Sequence, residues 1–197
     1  MTLYRKVQAV ERVFKSLEKD LAAFKHATNL KCVSGCGRCC TKPDISASIL
    51  EFLPLAYQLH KQGLALEWYQ KLGNLESSVC HVFTPIFLEG SGGMCTQYQY
   101  RGLVCRLFGF SAKLDKYGVP QMITCKTIKE EFPEAYQTAV NHIAQGKNTP
   151  LMRNYYFQLQ AIDGNLGTKL LPINEAIREA LKVVLSYYAY RRTRKSA

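Results

Sequence analysis

No apolar run long enough to cross a membrane or to act as a secretion leader opens this chain. Residues 1–30 read MTLYRKVQAVERVFKSLEKDLAAFKHATNL, with a charge every few positions. A cytoplasmic chain with no membrane span and with reduced thiols is therefore expected. Also missing are a glycine-rich phosphate loop, a Ser-His-Asp order and a paired-carboxylate signature, so the sequence gives no support to classical catalysis and leans away from an enzyme. There is no internal repeat, low-complexity tract or glycine-serine linker, which predicts a single domain over residues 1–197. Acidic side chains are few, 15 against 26 Lys and Arg, leaving a net charge of +11. Arg191, Arg192, Arg194 and Lys195 supply four of those charges in a short tail, and the rest are thinly spread. Such a balance permits nucleic acid or an acidic protein as a partner without specifying either.

Cysteine, in contrast, is abundant: eight residues in 197. With 47% hydrophobic residues the chain can bury a core without covalent staples, so disulfides are not needed to explain folding. In a reducing compartment, this cysteine usage points to metal.

The periodicity predicts a mainly α protein. Leu3, Val7, Val10, Phe14, Leu17, Leu21 and Phe24 make one apolar stripe on a long first helix. Ser48 and Glu51 form a capping-box pattern opening a helix to about His60, which Gly63 ends. Residues 64–75 form a further short helix carrying the only tryptophan, Trp68, as a packing residue. Residues 79–88 are extended, and 89–93 (EGSGG) a turn, giving at most a short β-hairpin. Helix returns from Thr127, with Ile128, Phe132, Tyr136 and Val140 on one face, then over 151–162 and 173–192. The last of these buries Ile173, Ile177, Leu181, Val184, Leu185 and Tyr188. Helices thus bracket a cysteine-rich metal-binding region, residues 32–125.

Cys32, Cys36, Cys39 and Cys40 lie within nine residues. On a helix the first three would share a narrow arc, with Cys40 further round, so that Cys39 and Cys40 serve different roles or different metals. Gly35 and Gly37 could equally shape a loop. Cys80, Cys95, Cys105 and Cys125 are too widely spaced for local geometry to gather them, so the fold must. Eight thiols suit two four-ligand sites, with Cys40 joining three of the downstream residues, or one cluster plus spare cysteines. Soft thiolates select zinc, copper(I) or iron-sulfur and disfavour calcium and magnesium. A lone cysteine such as Cys80 is as well explained as a small buried hydrophobe. His26, His60 and His142 sit in helical patterns that favour packing, and His81 is set apart only by adjoining Cys80.

Two blocks, CVSGCGRCC at 32–40 and CTQYQYRGLVCRLF at 95–108, resemble the YkgJ-type CxxxCxxCC cysteine-cluster family, described as a zinc- or iron-chelating domain. The first hallmark is a cysteine run ending in Cys39-Cys40; the second is Cys95, Tyr98, Arg101, Cys105 and Arg106. Where that family commonly has proline after the arginine, this chain has Gly102. The resemblance implies chelation of zinc or iron, an iron-sulfur cluster included, by the eight cysteines, and brings no reaction with it. Arg101 and Arg106 could donate to metal-bound sulfur or neutralise thiolate charge; an ordinary ion pair explains them equally well.

The Cys-x3-Cys-x2-Cys run is also that of radical S-adenosylmethionine enzymes. Those usually have an aromatic residue where this chain has Arg38, and the alternating strands and helices of their partial barrel are missing. An iron-sulfur-dependent modifying enzyme stays open as an alternative, since some proteins with a related run are linked to protein lysine methylation. So do a metal-stabilised basic module binding RNA or an acidic protein, and a metal store or carrier.

Overall fold

A computed structural model describes residues 1–86 and 92–195, with side chains through 190. The chain is mainly α as expected, with nine α-helices among the described residues, three two-stranded antiparallel pairs and an isolated parallel bridge between Ala112 and Leu151.

The first helix, α1 (Leu3–Thr28), is set by its stripe: Leu3, Val7, Val10, Phe14, Leu17, Leu21 and Phe24 are all buried. Thr2 caps it by accepting from the Arg5 N–H, and Asn29, at φ 54°, ends it in the left-handed region that asparagine tolerates. At 1.5 Å per residue this helix is about 39 Å long, and it serves two cores. Leu3 to Leu21 pack in the larger one with α2 (Leu53–Lys61), α3 (Ala65–Gly73), α7 (Met152–Ile162) and α9 (Ile173–Lys195). Phe24, with Leu30 just beyond the helix, packs in a smaller one against Ala112, Ile128, Ala139 and Ile143.

On α9, Ile173, Ile177, Leu181 and Val184 are buried as predicted, while Leu185 and Tyr188 lie at the margin, half-buried. Ala176 and Ala180 share the buried face, and their small side chains let α2 pack close. The strands β1 (Ser46–Ser48) and β6 (Leu170–Pro172) pair antiparallel and tie the approach to α2 to the start of α9. The Ile173 N–H continues the pairing to the Ile45 carbonyl at 2.9 Å.

Three expectations change in detail. The capping pair of Ser48 and Glu51 forms, but it opens a 3-10 turn (Leu50–Phe52) before α2 begins, and Glu51 is fully buried. The stretch from Thr127 is two helices, α5 (Lys126–Glu131) and α6 (Pro133–Ala144), because Pro133 cannot continue the first. The break rotates the apolar face, so Ala139 and Ile143 are buried where Phe132, Tyr136 and Val140 are only half-buried. Gly92 and Gly93 belong to strand β3 (Gly92–Cys95), paired with β2 (Phe83–Ile86), rather than to a turn. Residues 87–91, holding the rest of the expected turn and strand end, lie outside the described residues, as do the side chains of the basic tail.

A hairpin and a short helix are among the elements that had no counterpart in the periodicity. Strands β4 (Ser111–Leu114) and β5 (Pro120–Ile123) form a hairpin, its turn held by Asp115 accepting from the N–H groups of Tyr117 and Val119. Helix α4 (Leu103–Leu107) is one short turn carrying Cys105.

The five-residue α8 (Gly164–Thr168) starts at Asp163, which accepts from the Leu166 N–H and pairs with Lys6 of α1. Burial works against the Asp163 charge, but the Lys6 and Leu166 hydrogen bonds outweigh it and hold the carboxyl below its usual range. Its contribution is therefore present above the unfolded value and lost as pH falls through the folded one. Asp163→Asn keeps the cap and removes the charge. The variant should be less stable than wild type by about 0.5–1 kcal/mol at pH 7, and urea midpoints of the two proteins should converge below about pH 4.

Candidate metal centre

The cysteine run is a loop. Gly35 at φ 67° and Gly37 at φ 59° take the left-handed conformation that bars a continuous helix. The loop is pinned to β3 by the Gly93 N–H donating to the Gly35 carbonyl at 2.8 Å. Only glycines permit this approach: a Cβ on Gly92 would strike the Gly35 carbonyl, and one on Gly93 would strike Phe83. The Cys40 N–H closes a tight turn on the Gly37 carbonyl at 2.8 Å, and the Cys40 carbonyl accepts from the Cys80 N–H at 3.3 Å. Cys95 stands opposite Phe83 in the β2–β3 ladder. Cys105 rides on α4, and Cys125 caps α5, its sulfur accepting from the Ile128 N–H at 3.4 Å.

These segments bring all eight cysteines to the wall of one cavity of about 200 Å³. Every cysteine is a free thiol. Among the described residues the lining holds no histidine and no carboxylate, so its chemistry is sulfur, apolar carbon, the Tyr98 phenol and the cations Arg38, Lys42 and Arg101. The loop turns Cys39 and Cys40 toward each other, with sulfurs 3.9 Å apart, a juxtaposition that the helical reading did not allow. As they stand, no three Cys, His, Asp or Glu side chains among the described residues are close enough to hold an ion. Coordination requires the thiols to draw inward by side-chain rotation and loop adjustment. The donor set itself fits a soft metal such as zinc or iron and excludes a hard-cation site.

The electrostatics divide the thiols. Cys39 is pulled down to about 6 by the hydrogen bond from the Cys40 thiol, against burial, with help from the backbone N–H groups of Cys39 and Cys40 and from Arg101. Cys40 is pushed up because it keeps the proton it donates. Burial raises Cys80 to about 11 and drives Cys105 up further, with the Cys80 and Glu51 charges adding to the effect. Burial also raises Cys95, and it raises Cys32, where the neighbouring Cys36, Cys125 and Cys39 add to it.

The two arginines are placed differently. Arg106 is buried and spends its donors on Glu18, the Arg101 carbonyl at 3.0 Å and the Gln99 carbonyl at 2.6 Å, with its guanidinium against the Phe14 ring. Arg101 lines the cavity, lies 3.8 Å over the Tyr98 ring, and has a buried Nε with no hydrogen-bond partner. Lys25 of α1, over the Phe110 ring at 3.9 Å, adds positive charge beside Cys32. The four histidines lie elsewhere. His81 packs edge-on to Trp68 while its own backbone N–H donates to the Asn174 side chain, His60 stacks on Tyr188, and His142 meets Phe24 edge-on.

Residues 31–140, more than half of the chain, match the family model CxxCxxCC, described as "Putative zinc- or iron-chelating domain". The chain belongs to the CxxCxxCC family. The matched stretch contains the eight cysteines and the hairpins and short helices that carry them, and leaves α1 and the helices α7 to α9 outside. No curated protein and no solved structure matches the chain. No helix among the described residues is long and apolar enough to cross a membrane.

Three residues that the sequence reading did not weigh as site residues brace or line the cysteine-bearing cavity. Glu51 accepts from the Ser48 N–H and hydroxyl and, at 2.9 Å, from the Val104 N–H, fastening the start of α4 and with it Cys105. Arg38 donates to the Thr127 hydroxyl at 3.3 Å, laying the cysteine loop over the start of α5. Lys42 contributes to the cavity wall. The capping pattern gave away Glu51 as a helix opener, but nothing in it signalled burial beside a thiol.

Proposed function

We propose that this chain is a single-domain, cytoplasmic metal-binding protein that chelates zinc or iron through Cys32, Cys36, Cys39, Cys40, Cys80, Cys95, Cys105 and Cys125. One observation carries the reading: eight free thiols from separate segments converge on one cavity whose wall, among the described residues, holds no histidine and no carboxylate. A metal bound there would supply the cross-link that these short strands and turns otherwise lack. Each bound ion replaces thiol protons, so binding releases acid. Arg101 faces the thiols and offsets the negative charge that four thiolates on a divalent ion leave behind. Arg106, its donors committed to Glu18 and two carbonyls, acts as the clamp that shapes the segment 99–106.

Anaerobic purification followed by elemental analysis and a visible spectrum tests the reading. Metal bound in stoichiometric amount, colourless for zinc or brown for an iron-sulfur cluster, is the expected result. Fully reduced chain that retains no zinc or iron, and takes up neither on addition, would overturn it.

A further inference from the structure

The eight cysteines are not equivalent in the fold. Cys40, Cys80, Cys95 and Cys105 all pack against the larger hydrophobic core, Cys80 as a member only 4% exposed. Cys125 packs instead against the smaller core, and Cys32 follows Leu30, which belongs to that core at 2% exposure. Cys36 and Cys39 sit on the loop that the Arg38–Thr127 hydrogen bond draws over α5, toward Cys125. Cys32 and Cys39 are exposed.

The closest sulfurs across this division are those of Cys39 and Cys40, 3.9 Å apart. Sulfurs on one tetrahedral zinc stand about 3.8 Å apart at Zn–S near 2.3 Å, so the Cys39–Cys40 contact alone would suit a shared ion. The exposure of Cys39, the lack of core packing around it and the presence of four other thiols on the inner side assign it outward.

Resting on the metal-binding reading above, we infer that the protein holds two metal centres of unequal character. The inner centre, Cys40, Cys80, Cys95 and Cys105, is sealed by the larger core and is structural; the outer centre, Cys32, Cys36, Cys39 and Cys125, lies at the solvent-facing mouth and exchanges its metal. Each centre forms four metal–sulfur bonds and releases the protons those thiols carried, with no change of oxidation state. A closed thiolate site resists displacement because its ligands cannot leave one at a time, while an exposed loop can open to an incoming chelator.

The test uses the full chain, reduced and loaded with zinc(II), and a chromophoric chelator in excess. Wild type should release two equivalents in two phases, the first at least about tenfold faster than the second. The double variant Cys32→Ser, Cys36→Ser should lose the fast equivalent and keep the slow one with unchanged helical content. Cys39→Ser should do the same. Since Cys80→Ser risks misfolding, the inner centre is read in wild type by cadmium-113 NMR, which should give two four-sulfur resonances, only one of which disappears in the outer double variant. A single release phase, loss of both equivalents in the outer double variant, or loss of the slow equivalent in Cys39→Ser would overturn the division while leaving metal binding intact. Wild type that takes up neither zinc nor iron would instead sink the reading on which it rests.

Discussion

Stripping the metal from reduced wild-type chain should melt the cysteine-bearing segments and spare the larger helical core. Hydrogen exchange at residues 32–40, 80–86 and 92–106 should speed up by about a thousandfold, an opening energy of about 4 kcal/mol, while amides of α1, α2 and α9 stay protected. The reason is unequal burial. The three helices bury Val10, Leu17, Leu53, Leu59, Ile177 and Leu181, each contributing about 1.5–3 kcal/mol by its removal from water. The cysteine loop has no buried apolar side chain between Leu30 and Ala47, and it is fixed by a few backbone hydrogen bonds such as Cys36 N–H to the Val33 carbonyl at 3.3 Å. Strands β2 and β3 have four residues each, and a two-stranded hairpin of that size is marginal alone. Protection factors in these segments that do not change on metal removal would show that apolar packing alone holds them.

The helical frame was legible because its signal is periodic and local. The α1 stripe of Leu3 to Phe24 is read directly from steps of three and four, and each of its residues is buried. The α9 face was legible in full, with Ile173, Ile177, Leu181 and Val184 buried and Leu185 and Tyr188 packed half-buried at the margin of the core. What escaped the sequence depends on contacts between distant segments. The β4–β5 hairpin is eight strand residues around a turn at Asp115 and Gly118, too short for alternation to stand out. Gly92 and Gly93 look like turn residues; they are in a strand where the cysteine loop crowds Gly92 and the Phe83 ring crowds Gly93, so that no side chain fits at either. The site followed the same rule. The dense run ending in Cys39-Cys40 and the second block with Cys105-Arg106 marked the cysteines, but composition could not tell which core each would pack on. Nor could it separate Arg101, which lines the cavity, from Arg106, whose donors are taken by Glu18 of α1 and by the Gln99 and Arg101 carbonyls.

Glu51 yields the second large effect. Glu51→Ala should cost about 3 kcal/mol of stability in the metal-loaded protein, read as a lower urea midpoint. The substitution leaves the Ser48 N–H, the Ser48 hydroxyl and the Val104 N–H without their acceptor in a fully buried place. Glu51→Gln retains an acceptor and should cost only about 1 kcal/mol near neutral pH. The pH dependence separates the two roles of this carboxyl. Burial raises its folded pKa above the unfolded value, although the hydrogen bonds from Ser48, Val104 and Leu103 pull the other way. A group shifted upward contributes fully below its unfolded value and loses that contribution as pH rises through the folded one. The advantage of wild type over Glu51→Gln should therefore be greatest in mild acid and shrink toward higher pH. The loss should also reach the metal. Val104 immediately precedes Cys105, so slackening the start of α4 should speed release of the inner zinc while leaving the outer one unaltered. Equal stability of Glu51→Ala and wild type would mean that the carboxylate only fills space between Phe52 and α4.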